Sequence, residues 1–263
     1  MIIAYDLETA IMQRGYKRPQ GLILEIGAYD LFLDRSFRCF VNPTEQKLTK
    51  ENYIEVLEAN GARPYPTRTH AENIRYEPEN ALPLRVAMQQ FLSFIETAEV
   101  LCAHNGRSFD DKIVQGSLER CGLQWPSEMR FLDSYYDVSK KVWPGRRSYK
   151  LQNLHRALCP EASSLKWHTA LDDSMGLAHL LGAAARHTVG ENVELAAQYV
   201  ERDYGVSKLN RQFGTEFPRR LNDCIGRQTK EAVRRKLKSK RPSTELTILC
   251  LDICIKAGLW AMR

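Results

Sequence analysis

The run IIAYDLET at residues 2–9 constrains this chain more than any other segment. Its apolar residues follow one another almost without interruption, the pattern of a strand covered on both faces. Asp6 and Glu8, two apart at its end, then point to one face. Two carboxylates that close repel each other and resist desolvation unless a cation lies between them. Ligands that are all oxygen suit Mg²⁺ or Mn²⁺. The strand therefore carries the expectation of a metal-dependent phosphoryl-transfer site.

Two further runs hold acids in matching contexts. In VLCAHNGRSFDD (100–111) a short apolar strand breaks at Asn105-Gly106, and Asp110 opens a helical period marked by Ile113, Val114 and Leu118. An acid at a helix start is stabilised by the helix dipole, so Asp110 also fits a plain N-terminal role. In WHTALDD (167–173), His168 precedes an Ala/Leu-rich helix that carries Asp173. Five residues apart, the two would not share a helical face. Both reach one cleft if His168 lies on the loop before the helix.

With these positions in order, the chain resembles the DnaQ-like, or DEDDh, 3′→5′ exonucleases. In motif form it is nearest to the three-prime repair type. LILEIGAY (22–29) is similar to the family's second strand and FVNP (40–43) to the close of its third. The unit at 100–122 is similar to the strand and helix bearing the third acid, LDS (132–134) to the next strand end, and SYKLQNL (148–154) to the helix before the last motif. The resemblance covers roughly 1–186. It implies an α/β, ribonuclease-H-like fold with a mixed five-stranded sheet flanked by helices. It also implies two Mg²⁺ ions, replaceable by Mn²⁺: one held by Asp6, Glu8 and Asp173, the other by Asp6, with Asp110 directly or through water. His168, in place of a tyrosine nearer the last acid, points to the h-type subfamily and to a general base. A histidine's unperturbed pKa of about 6.5 suits that role at neutral pH.

The implied activity is release of 5′-mononucleotides from 3′ ends. The spacing of three residues between Asn105 and Phe109 is similar to repair-type enzymes and favours DNA, as a single strand or a duplex 3′ end. An exoribonuclease of the same fold is the alternative, because the acids do not report the sugar. Where relatives have Thr-Gly-Leu after the first acids, this chain has Ala10-Ile11-Met12 behind Thr9, which alters the loop expected to wedge the terminal base. Thr9, Ile11, Met12, His104, Asn105, Phe109, Tyr149 and Lys150 are the candidate substrate contacts. Arg146 and Arg147 stand just before the last two. For His104 the competing role is ordering the turn, and for Phe109 it is core packing.

Composition enters through charge. The net charge is +6, yet residues 218–243 hold ten lysines and arginines against Asp223 and Glu231, so the remainder nets −2. Beside a nuclease core that stretch suggests phosphate contact; a solvated face and a nuclear-targeting signal are the other readings. Seven scattered cysteines, and a strand that begins at Met1, suggest reduced thiols in an intracellular, cytoplasmic or nuclear, setting.

Strands are expected near 2–7, 22–32, 36–42, 99–104 and 130–134, with helices over 81–95, from 112 to 120 and from 175 to 185. The polar, proline-bearing segment 44–80, with one short helical run near 50–60, is expected to be a long loop. Two domains follow: an exonuclease domain at 1–187 and a helical, basic extension at 188–263, with helices near 193–202 and 207–213. The apolar segment 244–262 is short for a membrane span. A helix docked on the core or on a protein partner such as a polymerase is expected there, and no membrane contact.

Overall fold

The computed structural model describes residues 1–11, 21–42, 81–160, 165–191, 244–256, 259–260 and 262. The loop at 44–80, Met12, the helices expected near 193–202 and 207–213 and the basic stretch at 218–243 lie outside them.

Five strands form one sheet: β1 (Ile2–Ile11), β2 (Gly21–Asp30), β3 (Arg35–Phe40), β4 (Val100–Ala103) and β5 (Arg130–Asp133), in the order β3-β2-β1-β4-β5. β1, β2 and β3 pair antiparallel, as a meander should. β4 and β5 join β1 in parallel. Parallel neighbours need crossovers, and the helices supply them: α1 (Leu84–Ile95) leads into β4 and α2 (Asp110–Arg120) into β5. The result is the ribonuclease-H-like sheet that the resemblance implies.

The central strand β1 is buried on both faces, which explains its unbroken apolar run. Ile3, Tyr5 and Leu7 face α1 and α2, packing in one core with Met88, Phe91, Val114 and Leu118. Ile2 and Ala4 face the other way, sharing a second core with Leu177, Leu181 and Leu251. Each large apolar side chain buried this way contributes about 1.5–3 kcal/mol. By strand alternation Asp6 and Glu8 continue the Ile2/Ala4 face. The helix covering that face is α5 (Ala170–Glu191).

The helices depart from the expected bounds in instructive ways. α1 begins at Leu84 because Pro83, with its fixed φ of −51°, suits the helix entrance and no position further in. After β5 the chain makes a π-helical segment (Ser134–Ser139), then a single turn, α3 (Lys140–Val142). Periodicity gives no sign of it: the segment is held by polar side chains. α4 (Leu151–Leu158) opens at Leu151, three residues after Ser148. α5 runs on through residue 187 to Glu191. The apolar C-terminal segment forms α6 (Thr244–Lys256), which packs on α5; Leu251, Ile253 and Cys254 are fully buried in the same core as β1. Among the described residues no helix is long and apolar enough to cross a membrane, and none of the six described cysteines is disulfide-bonded.

Candidate active site

Asp6 and Glu8 stand on β1, opposite Gly27 and Glu25 of β2. Gly27 matters because α5 starts directly over it. A Cβ added there would lie 2.1 Å from the carbonyl carbon of Ala170. The missing side chain lets the helix approach the sheet backbone, so Asp173 in its first turn reaches the two strand acids. Carboxylate oxygens of Asp6, Glu8 and Asp173 all lie within 4.8 Å of one another. Asp110 joins from the β4 side. Its carboxylate accepts the Leu7 N–H, placing it beside the strand between Asp6 and Glu8, and it is the strongest charged neighbour of Asp6.

Each of the two late acids belongs to an Asp-Asp doublet, and the fold separates the members. At α5, Thr169 is the cap: Asp172 N–H donates to Thr169 Oγ1 at 3.1 Å, and the threonine hydroxyl donates to Asp172 Oδ2 at 2.8 Å. Asp172 is thereby tied to the helix entrance. Asp173, one residue on, turns to the cleft and accepts the His168 N–H at 3.1 Å. At α2, Asp111 takes the buried Tyr5 hydroxyl at 2.6 Å, leaving Asp110 to the cleft. His168 itself lies just before α5 with φ 71°, a left-handed conformation uncommon for a residue with a side chain. Its exposed ring meets the Gln152 amide nitrogen of α4 at 3.1 Å from Nε2.

The electrostatics are those of acids crowded together. Burial, then Asp110, Asp173, Glu8 and Glu25, push Asp6 well above the usual carboxylate range. Glu8 rises to about 8, through burial and then Asp173 and Glu25. Asp110 rises to about 8 through burial and then Asp111, and Asp173 to about 7 through burial, opposed by its bond from His168. Glu25 is raised by burial, and the Arg38 guanidinium, 2.7 Å away, pulls it back. Such a cluster cannot hold its full charge without a cation. Three oxygen donors converging on one point fit a hard divalent ion.

A comparison with known families decides the kinship: the profile of the RNase_T family, described as exonuclease, matches residues 3–181. The chain belongs to the RNase_T exonuclease family. This RNase_T chain is also 26% identical over 183 residues to exonuclease DPD1, chloroplastic/mitochondrial, of Arabidopsis thaliana. That match covers 65% of the chain and 52% of the relative, so the chain spans about half the relative's length. Among solved structures it is similar to E. coli exonuclease I in complex with a dA16 oligonucleotide, at TM-score 0.47 and 16% identity, covering 70% of this chain and 41% of that one. The complex of the same enzyme with a dT13 oligonucleotide gives TM-score 0.46 and 16% identity, over 79% and 45%.

Around the acids of the RNase_T chain, the candidate substrate contacts divide. Thr9 is half-buried on β1 just past Glu8, where a register shift interrupts the pairing with β2. Ile11 ends that strand; Met12 lies outside the described residues. Asn105 has φ 68°, and its N–H donates to Asp133 Oδ1, which shapes the turn before Asp110. His104 uses both ring nitrogens inside the protein, Nδ1 with Ser134 Oγ at 2.7 Å and Nε2 with the Tyr149 carbonyl at 2.8 Å. Phe109 packs at the margin of the α1/α2 core. The Tyr149 hydroxyl donates to the Trp143 carbonyl at 2.8 Å, bracing the loop, while Lys150 is exposed. Three residues escape sequence reasoning: Glu25 behind Glu8, Gln152 beside His168, and Asp133, a buried carboxylate organising the turn. All three lie in segments that resemble the family, LILEIGAY, SYKLQNL and LDS, yet nothing in those segments singles them out as site residues.

Proposed function

We propose that this chain is a divalent-metal-dependent 3′→5′ exonuclease that releases 5′-mononucleotides, with DNA as the favoured substrate. The observation that carries the reading is the convergence of Asp6, Glu8 and Asp173 within 4.8 Å, with Asp110 beside them. Asp6, Glu8 and Asp173 would hold one Mg²⁺, and Asp6, with Asp110 directly or through water, the second; Mn²⁺ would substitute. Two such ions, when bound, stabilise the attacking and leaving oxygens of an in-line displacement at phosphorus. The carboxylates then stay ionised, and their repulsion, unfavourable in the metal-free protein, becomes affinity for the ions.

His168 accepts the proton of the attacking water. An amide N–H donated by Gln152 to Nε2 leaves the ring proton on Nδ1 and the lone pair on Nε2. Proton transfer requires Gln152 to yield that position, which the exposed His168 ring and the half-buried Gln152 side chain permit. The Asp173 carboxylate, through the His168 N–H, fixes how the backbone at His168 enters the helix. Thr9 and Ile11 flank the terminal nucleotide, and Lys150 with Arg147 contact phosphate. In this reading residues 1–187 carry the chemistry, and 188–263 form an extension whose basic stretch binds nucleic acid.

The test is purified protein with Mg²⁺ on 3′-labelled DNA (single-stranded, duplex, mismatched and circular) and on RNA of the same sequence. Mononucleotides leaving the 3′ end of linear DNA, with circles untouched, are expected. Nicked circles overturn the exonuclease assignment, and faster loss of RNA moves the substrate to the exoribonuclease reading.

A further inference from the structure

The π-helical segment after β5 carries two adjacent tyrosines, Tyr135 and Tyr136, and the second stands at the surface. Tyr136 is 37% exposed, while the residues around it on the same segment, Asp137, Val138 and Ser139, are buried. The two rings meet edge to face at 4.7 Å, and Tyr135 also touches the rings of His104 and Tyr149. Neither ring is loosely held. Asp133 Oδ1 accepts the backbone N–H of Tyr135 at 2.9 Å and of Tyr136 at 3.2 Å, and the same carboxylate fixes the amides of Asn105 and Arg107. One buried acid therefore ties these rings to the loop that delivers Asp110.

The segment that carries the rings also starts at the level of the acids. Ala4 pairs with Cys102 and Ala103 with Asp133, so Asp133 stands level with the residue before Asp6. It is two strand spacings across the sheet, about 10 Å. Cations surround the pair: the Lys140 ammonium is 4.4 Å from the Tyr135 centroid and 4.9 Å from that of Tyr136, with the Arg107 guanidinium 5.5 Å from the latter. Lys141, Arg147 and Lys150 are exposed nearby in sequence. Asp137 is the carboxylate that meets this group, 3.0 Å from Arg107 and 4.0 Å from Lys141.

We propose that Tyr135 and Tyr136 form a stacking step for a base upstream of the scissile bond in a single-stranded nucleic acid, with Lys140 and Lys141 on its flanking phosphates. The proposal rests on the nuclease reading above and adds a second subsite to it. Aromatic faces bind any unstacked base, and cations beside them bind the backbone, so recognition is tolerant of sequence. Bases within a duplex are already stacked and have no face to offer. The Lys140 side chain that covers the rings is long and exposed, and can transfer to phosphate as the base arrives.

The test is anisotropy of 5′-labelled oligodeoxythymidylates of two to ten nucleotides, in EDTA to prevent turnover, with a blunt duplex alongside. Base–aromatic stacking corresponds to roughly 5- to 150-fold in affinity per base. Wild-type affinity is expected to step up by that order between two and about five nucleotides. The ratio of long-strand to dinucleotide affinity is expected to fall at least 5-fold in Tyr136→Ala and in Tyr136→Leu, which keeps apolar bulk, and to persist in Tyr136→Trp. An unchanged ratio in a folded Tyr136→Leu protein overturns the subsite, as does duplex binding equal to single-strand binding. A binding step that survives in a protein inert with Mg²⁺ overturns the nuclease reading and leaves the subsite standing. Hydrolysis without the step overturns the subsite alone.

Discussion

Gly27→Ala tests how the third acid is brought to the first two. The new methyl would lie 2.1 Å from Ala170 C, 2.2 Å from Leu171 N and 2.3 Å from Ala170 O, all backbone atoms that no rotamer change can move aside. Ordinary carbon contact is about 3.5–4 Å, so the start of α5 must retreat by more than about 1 Å or β2 must bow. Asp173 travels with that first turn, whereas Asp6 and Glu8 remain on β1. Overpacking of this kind costs about 1–3 kcal/mol, which lowers Tm by roughly 2–6 °C in a protein of this size. A displacement near 1 Å at a catalytic group costs about 10²-fold in rate. The assay pairs thermal melts with a Mn²⁺ titration and the hydrolysis rate, all well below the variant's Tm. Gly116→Ala is the control: the added Cβ meets only Arg120 Nη1, at 3.8 Å, and a helix-interior alanine should stabilise by about 0.5–1 kcal/mol. If Gly27→Ala binds Mn²⁺ and hydrolyses DNA like wild type, close approach of α5 does not assemble the site. A rate that falls only in proportion to the folded fraction refutes it equally.

Asp6→Ala and Asp173→Ala should abolish Mg²⁺-dependent hydrolysis while the metal-free Tm holds or rises, since each removes one of several repelling carboxylates; full turnover in either would sink the assignment. His168→Ala should cost roughly 10²–10⁴ in rate and flatten the acid limb of the pH–rate profile; an unaltered profile shows that another group takes the proton. Glu8 and Asp110 at about 8 and Asp173 at about 7, against ordinary values of 4.5, 3.8 and 3.8, mean that the folded, metal-free protein retains protons the unfolded chain releases. Its stability should therefore fall as pH rises from 5 to 8. Mn²⁺ should reverse the trend, because its ligands bind deprotonated, and Asp6→Asn should weaken it. A metal-free Tm that climbs over that range contradicts the crowded-acid account.

How far the site could be read from the chain depended on what kind of order carried it. Asp6 and Glu8 declare themselves locally: strand period two puts them on one face, and their unbroken apolar lead-in reports burial on both sides of β1. Asp110 and Asp173 were legible through helix starts, an acid where a helical period begins. The mixed sheet followed from three strands close in sequence and two separated by helices. Side chains whose purpose is to meet something distant left no such trace. Asp111 and Asp172 look like site residues in a string of letters. A tyrosine 106 positions away claims Asp111, whereas the Thr169 cap that claims Asp172 is local, three residues back.

The same limit explains the π-helical segment, whose stability comes from Asp133 and Asp137 reaching across to the Asn105–Arg107 turn instead of from a repeating apolar face. It also explains Glu25 and Gln152, placed beside Glu8 and His168 by strand register and by the packing of α4 on α5. Local periodicity encodes what each segment buries, and so it set the elements and the acids they present. Which of Asp110 and Asp111 faces the cleft, and how near α5 comes to β2, follow from long-range contacts. Those contacts exist only once the sheet is assembled and Gly27 leaves its face bare.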